Sequence, residues 1–414
     1  MLKTKRVSPA GEIAPRPRFG LGVLIAAALL AGCNPMSGPG IPGARDLKLN
    51  APPPASPSAP APSSEVSEQI GSGPIKIALI VPLTQASGPS MVGASLRNAA
   101  QLAYSDAGAN DASILVKDDH SSPAGAAAAA QSAVNEGAEI ILGPVSAANV
   151  KEASRVARAA GRPLIAFTTD SSAASRGSYL MSFLVEGYVE RIIDFAALRG
   201  KKSVAALIPE SDYGTIAMGQ FQQSAANHGL RVLTIERFKP GAAGDSVRRV
   251  AAVADQIDTL FIFEQADAMG AMSRELTAAN LDSRRVQILG TGLWNDPAVL
   301  KLPALQGAWF SAPENGGFNA FAARYRAKFN TEPARIATQA YDAVSLAIAL
   351  SRVQGSQRFA EGVLTNPEGF KGADGLFRFH VDGTNDRGLS VLEISGGTAK
   401  VIAPAPRTLA GNGS

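Results

Sequence analysis

The chain is predicted to fold as α/β, with two Rossmann-like lobes of mainly parallel sheet joined by a multi-strand hinge around a central cleft. Three observations predict this. Short apolar runs alternate with segments of helical period in two successive series. The end of the chain breaks the alternation, with two helices in a row and then small strands. About 330 residues remain once a leader and a proline-rich stretch are set aside, enough for two cores.

The leader comes first. Lys3, Lys5, Arg6, Arg16 and Arg18 precede an apolar run from Phe19 to Leu30. That run is shorter than the ~20 residues of a spanning helix and suits the core of a signal peptide. It ends in Leu30-Ala31-Gly32-Cys33, at the only cysteine of the chain, which therefore has no internal disulfide partner. Of 39 basic and 35 acidic residues, five basic residues and Glu12 lie in the leader, leaving 34 of each. The isoelectric point near 9.2 thus reflects the leader, and no basic field argues for nucleic acid.

Residues 33–73, with Ala51-Pro52-Pro53-Pro54-Ala55-Ser56-Pro57, hold too few large apolar side chains to offset chain entropy. They are expected to be a disordered, extended tether. The first series follows. Strands are predicted at 75–81, 113–117, 139–142 and 163–167, with helices at 90–106, 123–136 and 147–160. Gly137 and Gly161 stand where helices end. After a helix at 186–199, the second series has strands at 203–208, 231–237, 259–263 and 286–289. Helices at 213–228, 245–254 and 266–279 alternate with them. Two helices, 318–329 and 336–353, then return to the first lobe, and small strands at 375–379 and 389–394 join the second. The division expected is 1–32 leader, 33–73 tether, 74–187 with 317–353 first lobe, 188–316 with 354–400 second lobe, and 401–414 disordered tail.

Several segments carry a resemblance. Leu30-Ala31-Gly32-Cys33 resembles the lipobox of bacterial lipoproteins, which implies cleavage before Cys33 and its acylation. Ile75-Lys76-Ile77-Ala78-Leu79-Ile80-Val81-Pro82-Leu83-Thr84, Val116-Lys117-Asp118-Asp119, Ile141-Leu142-Gly143-Pro144-Val145-Ser146 and Glu210-Ser211-Asp212-Tyr213-Gly214 resemble, in order, the Leu/Ile/Val-binding (type I) periplasmic binding proteins. Within that superfamily, Ala160 to Asp170 and Phe183-Leu184-Val185-Glu186 with Val189-Glu190-Arg191 are similar to penicillin-binding protein activators. That likeness implies a lipoprotein that stimulates a peptidoglycan synthase.

Ligands of open α/β sheets sit beyond the carboxyl ends of the strands. The loops there hold Thr84, Gln85, Ser87, Ser146, Ala147, Thr168, Thr169 and Asp170 in the first lobe, and Tyr213, Glu264 and Trp294 in the second. Hydroxyls and free helix amides suit a carboxylate, and an acid suits an ammonium group. Ser146 and Asp170 are equally ordinary helix N-caps, and Tyr213 equally a packing residue between lobes. In amino-acid binders of the resembled family, the loop after a late second-lobe strand supplies an acid to the ligand's ammonium. Here Gly292 stands nearest that position, with Glu264 as the possible substitute.

Asp118-Asp119 look like a metal pair but lack neighbouring ligands, and His120, His228 and His380 are scattered. No metal, cofactor or catalytic residue is expected. A Gly-x-Ser-x-Gly elbow is missing, and Gly200-Lys201-Lys202-Ser203 lacks the first glycine of a phosphate loop. Two readings stay open. One is a non-catalytic, lipid-anchored regulator of peptidoglycan synthesis, partnered by a penicillin-binding protein and held more at the outer than the inner membrane of the periplasm. The other is a substrate-binding protein that hands branched-chain or other amino acids to an ABC importer permease.

Overall fold

The computed structural model describes residues 68–353 and 355–409. The leader, Cys33 and the tether up to residue 67 lie outside them. The last residues of the expected tether are ordered: β1 (Glu68–Ile70) pairs antiparallel with β5. Arg97 anchors it, its Nε donating to Glu68 Oε1 at 2.9 Å.

The first series builds β2 (Ile75–Val81), a small hairpin of β3 (Thr84–Gln85) and β4 (Gly88–Pro89), α1 (Met91–Asp106), β5 (Ala112–Asp118), α2 (Pro123–Asn135), β6 (Ile140–Leu142), α3 (Ala147–Ala159), β7 (Leu164–Ala166) and β8 (Ser178–Leu180). They form one sheet in the order β1-β5-β2-β6-β7-β8, parallel apart from β1. Its inner strands are apolar on both faces because helices cover both. The second series builds α4 (Val185–Leu198), β9 (Ser203–Pro209), α5 (Asp212–Asn227), β10 (Arg231–Phe238), α6 (Gly244–Ala251), β11 (Thr259–Ile262), α7 (Met269–Ala278), β12 (Gln287–Gly290) and β13 (Trp309–Ala312). In both sheets the strand order reverses about the first strand of the series, β2 or β9. Those switch points are where a crevice opens in a doubly wound sheet.

One local device recurs at the helix starts. Ser90, Ser122 and Ser211 each cap a helix by accepting the amide of a glycine three residues on, at 3.1 Å in every case. The glycine is there because the helix closes onto the preceding strand end. A Cβ on Gly93 would collide with the carbonyl of Pro82, and one on Gly214 with the carbonyl of Pro209. The Ser-x-x-Gly spacing thus sets each helix directly over the loop that ends its strand. Gly137 and Gly161, at φ 90° and 65°, do end α2 and α3 as expected.

The remaining elements are α8 (Asn315–Phe329), α9 (Ala337–Val353), the short α10 (Glu361–Leu364), β14 (Phe370–Gly372), β15 (Gly375–Phe379), β16 (Asn385–Arg387), β17 (Ser390–Ser395) and β18 (Thr398–Ala403). Both long helices pack on the first sheet. The segment after them does not follow the predicted division. Phe359, Leu364, Phe377 and Phe379 are buried in the same core as Ile77 and Leu79, and β14-β15-β16 form a separate antiparallel sheet. Residues 355–387 therefore belong with the first lobe. Only β17 and β18 complete the second sheet, in the order β10-β9-β11-β12-β13-β17-β18. The expected tail also begins later, since β18 runs to Ala403 and Leu409 is buried.

The chain thus crosses between lobes near 181–184, 312–315 and 387–390. Side chains pin these crossings to one another. Asn385 Nδ2 donates to the carbonyls of Leu180 and Ser182, at 2.5 and 2.8 Å. Arg387 donates to the carbonyl of Met181, and Arg191 Nε to that of Leu389 at 2.9 Å. Ser390 Oγ donates to Glu314 Oε1 at 2.7 Å.

Candidate functional site

The predicted residues of the first lobe divide into groups with different tasks. Thr84 Oγ1 donates to Asp118 Oδ2 at 2.5 Å and lies 2.9 Å from His120 Nδ1. Gln85 and Ser87 are exposed at the hairpin and bond each other at 3.0 Å. Ser146 caps α3 through the Asn149 amide at 3.3 Å, which leaves the amide of Ala147 open at the helix start. Thr168 is buried, with Oγ1 accepting the Asp170 amide at 3.2 Å, while Thr169 is exposed. Asp170 caps the turn 171–173 through the amide of Ser172 at 2.9 Å.

The acidic pair proves structural. Asp118 Oδ1 accepts the amides of Leu83, Thr84 and His120. Asp119 is fully buried and accepts the Ser121 amide at 2.8 Å and Asn149 Nδ2 at 2.9 Å. These bonds hold His120 and Ser121 at φ near 50°, a left-handed conformation costly for either residue. Among the described residues no group of three or more His, Cys, Asp or Glu side chains is placed to hold a metal.

In the second lobe Tyr213 and Glu264 follow the neighbouring strands β9 and β11. Tyr213, in the first turn of α5, lies 3.4 Å from Thr291 Oγ1. Burial pushes its hydroxyl up to about 12, and the charge of Glu264 adds to the shift. Glu264 follows β11, is 6% exposed, and accepts the Gln265 amide at 2.8 Å. Burial raises its carboxyl above the usual range, the condition in which a cationic ligand group is most welcome. Thr291 was not singled out from the sequence; its position directly after β12 was the available signal.

Trp294 is not a cleft residue. Its side chain is completely buried in the second-lobe core with Phe310 and Leu300, and its ring covers Gly290, where a Cβ would strike the indole. The aromatic residue that does reach this loop is Tyr188, in α4. A Cβ on Gly292 would lie 2.5 Å from Tyr188 ring carbons. A tyrosine ring from another element thus packs against Gly292, the residue that the resemblance sets nearest the acid of amino-acid binders. Burial holds the Tyr188 hydroxyl neutral, and its ring stacks on Phe183 at 6.2 Å. Within α4 the apolar helical stripe hides this role, because Tyr188 reads as core.

A further polar group that the sequence does not reveal lies at the crossings. Arg387 is buried, its guanidinium 4.3 Å from the Phe183 ring centroid, and its Nε and Nη1 have no hydrogen-bond partner. Asp342 and Asp374 face it electrostatically. Asp374 is bonded by Arg335 at 2.7 and 3.0 Å and by Thr338 at 2.5 Å. The surface depressions beside α7, lined by Ser273, Thr277, Leu302 and Pro303, share no residue with the strand-end loops.

Comparison with known proteins agrees with this architecture. No curated protein matches the sequence. A Rhodospirillum rubrum protein provisionally described as a branched-chain amino acid ABC transporter superposes with a TM-score of 0.71 at 18% identity, over 79% of this chain and 99% of that one. A periplasmic ligand-binding protein of a branched-chain amino acid ABC transporter from Burkholderia xenovorans gives 0.66 at 14% identity, over 81% and 97%. An ABC transporter substrate-binding protein from Desulfitobacterium hafniense, in complex with Leu, gives 0.60 at 17%, over 79% and 99%. Such identities establish the fold. The family model described as periplasmic binding protein matches residues 74–398, so the chain belongs to the periplasmic binding protein family, which implies a periplasmic location.

Proposed function

We propose that this protein is a solute receptor that binds a small amino-acid-like ligand between its strand-end loops and presents it to an ABC importer permease. The observation that carries this is the pairing of Tyr213 with Thr291 at the switch point of the second sheet, with the buried Glu264 just after the neighbouring strand β11. Glu264 takes the ammonium role that Gly292 cannot fill, and Ser146, Ala147 and Thr168 offer hydroxyls and an open helix amide to a carboxylate. Solved neighbours named as substrate-binding proteins support the reading. Acylation at Cys33 tethers the receptor to a membrane; exporting residues 34–414 behind a leader that is cut without acylation is expected to release it into the soluble periplasmic fraction.

Calorimetric titration of residues 64–414 with the common amino acids tests it. A ligand at a hundredfold excess over its Kd stabilises by ~2.7 kcal/mol, so thermal melts read the same event. Glu264→Gln is expected to abolish binding of any zwitterion that the parent binds. Silence across the panel sinks the receptor reading for amino acids.

One observation favours a second reading. The Tyr188 ring packs against Gly292, the residue that the resemblance sets nearest the ligand-binding acid, which fits a family member whose cleft has left amino-acid binding. A regulator of a peptidoglycan synthase, held at the outer membrane, is that reading. It predicts synthase stimulation that survives Ser146→Ala with Thr168→Ala.

A further inference from the structure

The end of the second sheet opposite the strand-end loops carries an uncommon surface. α4 runs out at Leu198, which is 75% exposed, and is followed at once by Arg199, Lys201 and Lys202. Arg231 joins them, because its amide bonds the Lys202 carbonyl at 2.9 Å where β10 begins. Arg199, Lys202 and Arg231 are exposed. Among the described residues none of these four cations forms an ion pair, although ion pairs are common elsewhere on the molecule. Asp258, the acid beside them, accepts the amides of Lys202 and Ser203 at 2.7 and 3.0 Å and also feels the charge of Lys201, while Arg231 Nη2 donates to the Gln256 carbonyl at 3.4 Å.

The cations rest on a rigid aromatic base. The Arg199 guanidinium lies 4.9 Å from the Phe195 ring centroid and Lys201 Nζ lies 6.0 Å from that of Trp309. The two rings meet edge to face at 5.2 Å. A helix C-terminus welcomes a cation or two, but it explains neither Arg231 on a separate strand nor the exposed leucine that ends α4. Single exposed apolar side chains occur elsewhere on the molecule, as at Met91 and Val353; Leu198 differs in leading directly into Arg199, Lys201 and Lys202.

We propose that this end of the second lobe is a docking surface for an anionic lipid bilayer, with Leu198 entering the interface and Arg199, Lys201, Lys202 and Arg231 on the headgroup phosphates. Charge complementarity supplies the long-range attraction, and the leucine distinguishes a lipid surface from a soluble polyanion. The contact would orient the strand-end loops away from the membrane, since they lie at the other end of the same strands.

The test is vesicle co-sedimentation of the mature chain, residues 33–414 carrying Cys33→Ser, so that neither the basic, apolar leader nor an acyl chain contributes. Phosphatidylcholine vesicles are compared with phosphatidylcholine–phosphatidylglycerol mixtures. Partitioning is expected to be at least about tenfold stronger onto the anionic vesicles and to fall with added salt. The combined variant R199Q, K201Q, K202Q and R231Q should lose that gain, and Leu198→Gln alone should weaken it severalfold, both with unchanged thermal melts. Equal binding to neutral vesicles, or full binding by the glutamine variant, overturns the proposal. Anionic binding indifferent to Leu198→Gln also overturns it, in favour of a purely ionic contact with a soluble polyanion. If the fourfold variant melts early, the salt and lipid-charge dependence of the parent decides alone.

Discussion

Asp342 of α9 accepts the Ala373 amide through Oδ1 at 2.7 Å, but its Oδ2 is buried without a partner. Burial lifts its carboxyl from the ordinary 3.8 to about 6, and the charge of Arg387 opposes that rise. The folded chain therefore holds this proton over a pH range in which the unfolded chain has released it. Stability from this group is present below about pH 4 and is lost as pH rises through about 6. A shift of this size corresponds to roughly 2–3 kcal/mol. Asp342→Asn keeps an acceptor for Ala373 and removes the ionisation, while Asp374 still faces Arg387. The variant is expected to match the parent near pH 4 and to exceed it by about 1–3 kcal/mol at neutral pH. Urea titrations at several pH values measure the difference, and parallel pH profiles for the two proteins would rule the assignment out.

At the scale of elements, the Ser-x-x-Gly starts make a pointed contrast possible inside one helix. Gly214 touches the Pro209 carbonyl, whereas Gly219, in the same helix, faces open space. Gly214→Ala is expected to push α5 off β9, cost about 1–3 kcal/mol, and displace Tyr213 from Thr291. Gly219→Ala is expected to stabilise by about 0.5–1 kcal/mol by removing glycine's freedom in the unfolded chain. Chemical denaturation of both variants reads the contrast, and a neutral Gly214→Ala would contradict the packing described. The same elements show what a sequence discloses. The strand at 75–81 and the helices of both series are legible because an unbroken apolar run or a helical stripe has few other readings. The three-residue β1 and β8 and the four-residue β13 are too short to show a period. Phe377 and Phe379 announce burial but not which core receives them, so the 355–387 segment was assigned to the wrong lobe. Position after a strand is what marks the loops of Thr84, Ser146 and Tyr213. Trp294 was misplaced by the same rule, which marks the loop and not the direction of the side chain.

For the whole molecule, the hinge decides whether two cores behave as one. Arg387 and Asn385 lend their side chains to the carbonyls of residues 180–182, so the first and third connections are bonded together at the first-lobe side of the hinge. Asn385→Ala would strand two carbonyls, and the loss of such bonds costs about 1–3 kcal/mol. The chain offers a convenient reporter, because its two tryptophans, Trp294 and Trp309, both belong to the second sheet and its core. Fluorescence therefore follows the second lobe, while circular dichroism follows both. In the parent the two melting curves are expected to coincide, as a cooperative transition requires. In Asn385→Ala they are expected to separate, with the first lobe, which loses its β8 and β16 connection, unfolding below the fluorescence transition. Coincident curves in the variant would mean that cooperativity resides in the second crossing and in the packing of α8, with the side-chain bonds contributing stability but not coupling.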